Sequence, residues 1–322
     1  MSARAVSIPG MKQVPVLIAG GGPVGMTLGC ELSRRGIACL LVERNPTTTR
    51  HPKMDITNAR SMELFRRLGV VDALRAVAVP ETSNFDVSWI THLTGHELHR
   101  FRYPSVSDWR RLIRARNDGS MPAEPPMRVS QVEIEPVLQR AVQAAPMVEA
   151  RWGVELQDLS QDRNEVIATL RTADGTTEKV GCRYLVRLRR GNQPGSRMRR
   201  HPARGPVASA AALPDAFPLV RCRPAPALGD RLALPVPCGH PDRAERQRYH
   251  GPCRRAGRRR WRRRTVDIPA LLRGFAGRDF AHEVLVANAW TPHFRGRRTL
   301  PGGRVLLAGD AAHQYVPTGD TA

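Results

Sequence analysis

Apolar residues along the chain repeat with two periods, and the predicted elements follow where each period holds. Residues 14–19 are apolar throughout and end at Gly20, the pattern of a strand buried on both faces. A helix is predicted from Pro23 through Met26, Leu28, Leu32 and Ser33, with Gly36 as its stop. Residues 37–42 form a second apolar run, closed by Glu43. Residues 55–68 carry Met62, Phe65 and Leu68 at helical spacing before Gly69, and residues 70–77 read as a second short helix. Residues 85–90 alternate as a half-buried strand, and Thr94-Gly95 turns them into residues 97–101. The stretch 104–127, rich in Arg, Pro, Ser and Gly, reads as a loop. Ser130-Gln131-Val132-Glu133 matches a capping box, but Pro136 moves the predicted start to near Glu135, with Val137, Leu138, Ala141 and Val142 facing inward. Residues 152–156, 166–171 and 179–186 read as strands, the last two joined at Asp174-Gly175.

The grammar then stops. From 187 to 264 neither period is present, and 11 prolines fall in 78 residues. It resumes with Ile268, Leu271, Leu272 and Phe275 at helical spacing, then the apolar residues 284–286. A buried strand is predicted at 304–308, and Gly309-Asp310-Ala311-Ala312-His313 should start a helix.

The first strand, turn, helix and second strand carry candidate chemistry. Gly20, Gly22 and Gly25 fit G-x-G-x-x-G, Pro23 sits where the first helical turn begins, and Glu43 follows 18 residues beyond Gly25. In such a unit the first glycine allows a tight turn, the second admits a diphosphate and the third lets helix and strand pack closely. Pro23, Val24 and Gly25 would present the helix N-terminus to that diphosphate, and Glu43, with Arg44 beside it, would meet a ribose. Asp310, after the late strand, would accept hydrogen bonds from polyol hydroxyls.

The net charge of +22 points to nucleic acid until its distribution is considered. Residues 187–264 hold 21 arginines against four acids, +17 of the total. Arg254-Arg255 and residues 258–264 would bind phosphates without specificity; interleaved aromatics are nearly absent, Trp261 and Tyr249 being the candidates, so a nucleic-acid partner is not the expected function. No run of eighteen apolar residues occurs and residues 1–14 lack an apolar signal core, so no membrane span is predicted and a cytoplasmic location is expected. The six cysteines show no C-x-x-C spacing, so neither metal nor a disulfide framework is predicted.

The N-terminal fingerprint paired with the late Gly309-Asp310 resembles the FAD-dependent aromatic hydroxylases, single-component flavin monooxygenases of the p-hydroxybenzoate hydroxylase type. The resemblance covers residues 14–186 and about 265–319. It implies an α/β fold, a Rossmann-like FAD-binding domain of the glutathione-reductase βαβ type, with its substrate-domain sheet disrupted. It implies that Gly20, Gly22 and Gly25 hold the FAD diphosphate and Glu43 the adenosine ribose, that Lys53 lies near the flavin and the entering nicotinamide, and that Gln131 contacts the polyol chain. Gly309-Asp310 would bind the ribityl hydroxyls and Pro317 would lie close to the isoalloxazine ring. NADPH or NADH would be the reductant, and O2 and a small aromatic substrate the partners. No catalytic residue is singled out. Related two-motif flavoproteins, halogenases and reductases among them, are the alternative within the class.

Two departures shape the expected domains. The family carries Asp-Gly after the strand that here ends at Tyr184-Leu185-Val186, and continues past the proline loop as Gly-Gly-x-Gly-Met-Asn; neither is present. Residues 186–197 can be back-translated so that dropping one base gives Gly-Cys-Asp-Gly-Ala-Thr-Ser-Arg, and restoring one base near codon 319 gives Gly-Gly-His-Gly-Met. The expectation is thus an N-terminal part of the FAD domain at 1–186, an out-of-frame and disordered Arg/Pro-rich segment at 187–264, and a truncated C-terminal FAD segment at 265–322, without turnover in this form. The nucleotide sequence around codons 186, 265 and 319 tests this; a gene with no Asp-Gly frame after codon 186 removes it.

Overall fold

A computed structural model describes residues 10–50, 56–188, 217–224, 267–290, 295–296 and 303–314. The chain divides into two compact units, the first made of residues 1–83, 105–214 and 292–322, the second of 84–104 and 215–291. The chain leaves the first unit twice, after 83 and after 214, and composition marks neither departure, so these bounds are not the 187 and 264 read from the sequence.

In the first unit β1 (Lys12–Ala19) leads through a glycine turn into α1 (Pro23–Arg34) and back to β2 (Cys39–Glu43). A two-residue strand β3 (Ile56–Thr57) precedes α2 (Ala59–Arg67) and α3 (Val71–Ala76). α2 begins four residues later than its apolar period suggested, because Asn58 caps it by accepting the Ser61 N–H at 2.9 Å. After β4 (Val87–Ile90) and β5 (Glu97–Phe101) of the second unit, the predicted loop instead contains α4 (Val106–Arg116). Its start is a capping box: Ser105 Oγ accepts the Asp108 N–H at 3.1 Å while Asp108 accepts the Ser105 N–H at 3.3 Å.

β6 (Met127–Arg128) pairs with β3 and leads to α5 (Gln131–Ala144). Pro136 lies inside α5, which starts four residues before the position that proline suggested. Burial of Ile134 and Glu135, on the same face as Val137 and Leu138, outweighs the missing N–H. β7 (Val148–Trp152) and β8 (Val154–Gln161) replace the single strand expected at 152–156; Gly153, at a φ of +76°, turns the chain between them. β9 (Val166–Thr172) and β10 (Thr177–Arg187) form the hairpin predicted at Asp174-Gly175.

The sheet runs β7-β2-β1-β10-β9-β8. β7, β2, β1 and β10 are mutually parallel, and β14 (Val305–Leu307) joins the end of β10 in the same direction. Both faces are buried. Val16, Ile18, Cys39 and Leu41 point to a core shared with α1, α2, α3 and α5. Leu17, Ala19, Leu40 and Val42 point to a second core closed by the β8-β9-β10 meander through Val166, Ala168 and Leu170. Alternate residues of β1 and β2 thus serve opposite layers, which is why both read as unbroken apolar runs. β14 is less enclosed than predicted: Val305 is buried, but Leu306 is exposed.

In the second unit β4 and β5 form an antiparallel hairpin whose tip meets α6 (Ile268–Ala276). The Leu93 N–H donates to Phe275 O at 2.9 Å and Thr94 Oγ1 to Ala276 O at 3.0 Å. β11 (Phe217–Pro224) pairs antiparallel with β12 (His282–Trp290). β11 falls where no regular element was predicted. A register shift between Arg221 and Cys222 interrupts the alternation that would have marked it. The rest of the Arg/Pro-rich stretch from residue 189 to 266 lies outside the described residues.

Candidate functional site

All five parallel strands end at one edge of the sheet, where the glycine turn, Glu43 and Gly309 lie. Gly20 adopts a φ of +135° and donates its N–H to Val42 O at 2.9 Å; a Cβ on it would lie 2.9 Å from Leu188 Cβ. A Cβ on Gly25 would lie 1.9 Å from Gly20 O and 2.8 Å from Leu188 Cδ1. These two positions must be glycine for the turn and helix to close. Gly22 differs, since a Cβ there would meet no atom of the described residues within 4 Å. Among the described residues nothing demands glycine at 22; the space above it is an open cradle. Gly22 is the N-cap of α1, and the first helical bond runs from the Met26 N–H to Gly22 O at 3.0 Å. The N–H groups of Val24 and Gly25 therefore precede the ladder, and Pro23 has none. An open cradle under free helix N–H groups suits a diphosphate.

Glu43 ends β2 and is buried, 7% exposed. Its carboxylate accepts the Gly21 N–H on Oε2 at 2.8 Å and the Asn45 N–H on Oε1 at 3.0 Å. A Cβ on Gly21 would lie 2.7 Å from Glu43 Cβ and 3.1 Å from the Trp152 ring, so the glycine outside the fingerprint is also sterically required. Arg44 is exposed and pairs with Glu155 of β8 at 3.9 Å.

On the other side, β10 delivers Arg187 and Leu188. The Leu188 N–H donates to Ala19 O at 3.0 Å, and Arg187 O accepts the Ala308 N–H at 3.0 Å. These bonds bring the two motifs together. The Cβ position of Gly309 lies 3.7 Å from Val24 Cγ2 and 3.6 Å from Leu188 Cδ2. Gly309 to Ala311 form a single 3-10 turn followed by β15 (His313–Gln314), which pairs with β13 (Arg295–Gly296), not the predicted helix start. Asp310 is exposed on that turn.

α5 brings Gln131 to the same edge. Its far end abuts the far end of α1: the Met147 N–H donates to Ser33 Oγ at 3.3 Å, and Met147 O accepts the Cys39 N–H at 2.9 Å. Helices of 12 and 14 residues at about 1.5 Å per residue then begin at similar height. Gln131 Nε2 donates to Glu135 Oε1 at 2.6 Å, and the Thr49 N–H donates to Glu135 Oε2 at 2.6 Å. Lys53 and Pro317 lie outside the described residues. Among those described, no group of three or more His, Cys, Asp or Glu is placed to hold a metal, and no helix is long and apolar enough to cross a membrane.

Residues 13–187, more than half of the chain, match the family described as FAD binding domain. The chain belongs to that family. It is 32% identical to the FAD-dependent monooxygenase apdD of Emericella nidulans over 94% of this chain and 52% of the relative. It is 31% identical to the 6-methylpretetramide 4-monooxygenase of Streptomyces rimosus over 94% of this chain and 51% of the relative. Among solved structures, the rebeccamycin biosynthetic enzyme RebC with reduced flavin matches with a TM-score of 0.69 and 27% identity, over 96% of this chain and 58% of RebC. The chain spans about half the length of the curated relatives it matches.

FAD is the cofactor of this family's fold, and the cradle at Gly22 fits its diphosphate. Sequence reasoning missed Gly21, Leu188 and Glu135. Gly21 and Leu188 give no local signal, because the groups that constrain them, Glu43 and Trp152 for the first and the Gly20–Gly25 turn for the second, arrive through the fold. Glu135 was read only as a helix start beside Pro136.

Proposed function

We propose that this protein is an FAD-dependent monooxygenase acting on a phenolic or other electron-rich aromatic ring, with NADPH or NADH and O2. The carrying observation is the meeting of the glycine turn, Glu43 and Gly309-Asp310 at one edge of the parallel sheet. Bound FAD, once reduced, supplies the means to activate O2 and hand one oxygen atom to the ring. The chain's own share is to bind and orient. The Val24 and Gly25 N–H groups and the Gly22 cradle would take the diphosphate, Glu43 the adenosine ribose, and Gln131 and Asp310 the ribityl hydroxyls. Lys53 is assigned to the flavin edge and Pro317 to the ring by resemblance alone, and Arg44 to the adenosine end by its place after Glu43.

In this reading the first unit, within 1–186 and 265–322, supplies the cofactor domain, and 187–264 stand where a substrate layer belongs, in a shifted frame. A cytoplasmic location is supported by Cys30, Cys39 and Cys182, all free and buried.

The test is a fluorescence titration of the purified chain with FAD and, separately, with NADP. A carboxylate at the end of β2 favours a free ribose hydroxyl over a phosphate, so FAD should bind more tightly. Equal or tighter binding of NADP would count decisively against the assignment.

A further inference from the structure

We propose that Glu135 is a positioning residue for this site: it sets which pole of the Gln131 amide faces the cofactor and pins the loop that follows β2. The proposal rests on the FAD reading given above. Glu135 is buried, 4% exposed, one turn into α5. Its two oxygens take different donors, Oε1 from Gln131 Nε2 and Oε2 from the Thr49 N–H, both at 2.6 Å. Thr49 follows Glu43 in the loop leaving β2, and Gln131 opens α5, so one carboxylate joins two segments that are remote in sequence.

The polarity of the arrangement is fixed by chemistry. An ionised carboxylate only accepts, so Gln131 must turn its NH2 group toward Glu135. Its carbonyl oxygen then becomes the opposite pole. A group meeting that oxygen must donate a hydrogen bond; a polyol hydroxyl fits and a phosphate oxygen does not. Glu135 thereby makes the start of α5 selective for hydroxyls, while the start of α1 receives the diphosphate.

Glu135→Gln keeps the shape but offers one acceptor and one donor where two donors point. Either the Thr49 bond is lost or the Gln131 amide turns over and presents its NH2 outward. The exchange Gln131→Glu/Glu135→Gln restores complementarity at unchanged net charge: residue 135 donates to residue 131 and still accepts from Thr49.

The 322-residue chain and both variants are titrated with FAD by flavin fluorescence, and each apo form is melted and digested briefly with trypsin. E135Q should bind FAD about tenfold more weakly or worse, the scale of a lost hydrogen bond to a charged group. It should also be cut faster after Arg50, with little change in melting temperature. The exchange variant should recover most of both losses. Wild-type FAD affinity and wild-type cleavage in E135Q overturn the proposal, as does an exchange variant no better than E135Q. A wild-type chain that binds no FAD sinks the flavin reading instead; cleavage after Arg50 then decides the tether, and an unchanged rate in E135Q refutes it.

Discussion

At Gly22 and Gly25 one residue type answers two different demands, and substitution separates them. Gly25→Ala forces a methyl to within 1.9 Å of Gly20 O, a backbone atom that cannot move without opening the turn. Overpacking of this kind costs about 1–3 kcal/mol or more, so the apo protein should melt several degrees lower and FAD binding should fall with it. Gly22→Ala places its methyl in open space, so the melting temperature should stay near wild type while FAD affinity drops at least about tenfold through loss of the close diphosphate approach. Calorimetry with a flavin titration distinguishes the two; a Gly22→Ala variant that binds FAD normally would show that the cradle is not the diphosphate site. The fingerprint glycines and Glu43 were legible because their spacing is local. Gly21 was not, since what requires it is the approach of Glu43 Cβ, reinforced by the Trp152 ring 131 residues away. Glu43 also has a part its position did not suggest: its carboxylate accepts the backbone N–H groups of Gly21 and Asn45 and so ties the turn to β2.

Among the elements, those whose apolar period runs uninterrupted were legible, and those that begin or bend at one polar residue were not. β1, α1, β2 and the β9-β10 hairpin were read nearly to their ends. α4 was missed because four arginines fall among its eleven residues, although Ser105 and Asp108 already stand at capping-box spacing. α5 was shortened by giving Pro136 more weight than the burial of Ile134 and Glu135. The proline does carry a cost, since its missing N–H leaves Val132 O without the i−4 bond of an ordinary helix. Pro136→Ala should supply that bond and raise stability by about 1 kcal/mol, somewhat less than the full helix-interior penalty because proline also restricts the unfolded chain. Melting curves test this; a lower melting temperature in P136A would mean that the ring's packing outweighs the restored bond.

In the first unit the sheet separates two cores, and buried thiols lie in both. Cys39 of β2 faces the helical layer together with Cys30 of α1, while Cys182 of β10 faces the meander. Burial, with Cys30 nearby, pushes the Cys39 thiol up to about 11, and burial pushes Cys182 up to about 12 against a small opposing effect of a backbone hydrogen bond at Leu17. Cys30 is raised for the same reason, reinforced by Glu31. The ordinary thiol value in the unfolded chain is about 9. Below that value both states keep these protons and the thiols add no pH dependence. Above it the unfolded chain releases them while the folded chain retains them, so the unfolded state binds fewer protons and stability falls as pH rises, across the window from about 9 to about 12. Melting temperatures at about pH 7.5 and about pH 10.5 should therefore drop more steeply for wild type than for a Cys39→Ala/Cys182→Ala variant, whose starting stability is lower but whose dependence lacks this contribution. The folded protein's three described thiols should also resist alkylation until it is denatured, because the thiolate is the reactive form. Parallel pH profiles for the two proteins, or rapid alkylation of Cys39 and Cys182 under native conditions, would show that the two cores admit water and that the layers on either side of the sheet do not close as described.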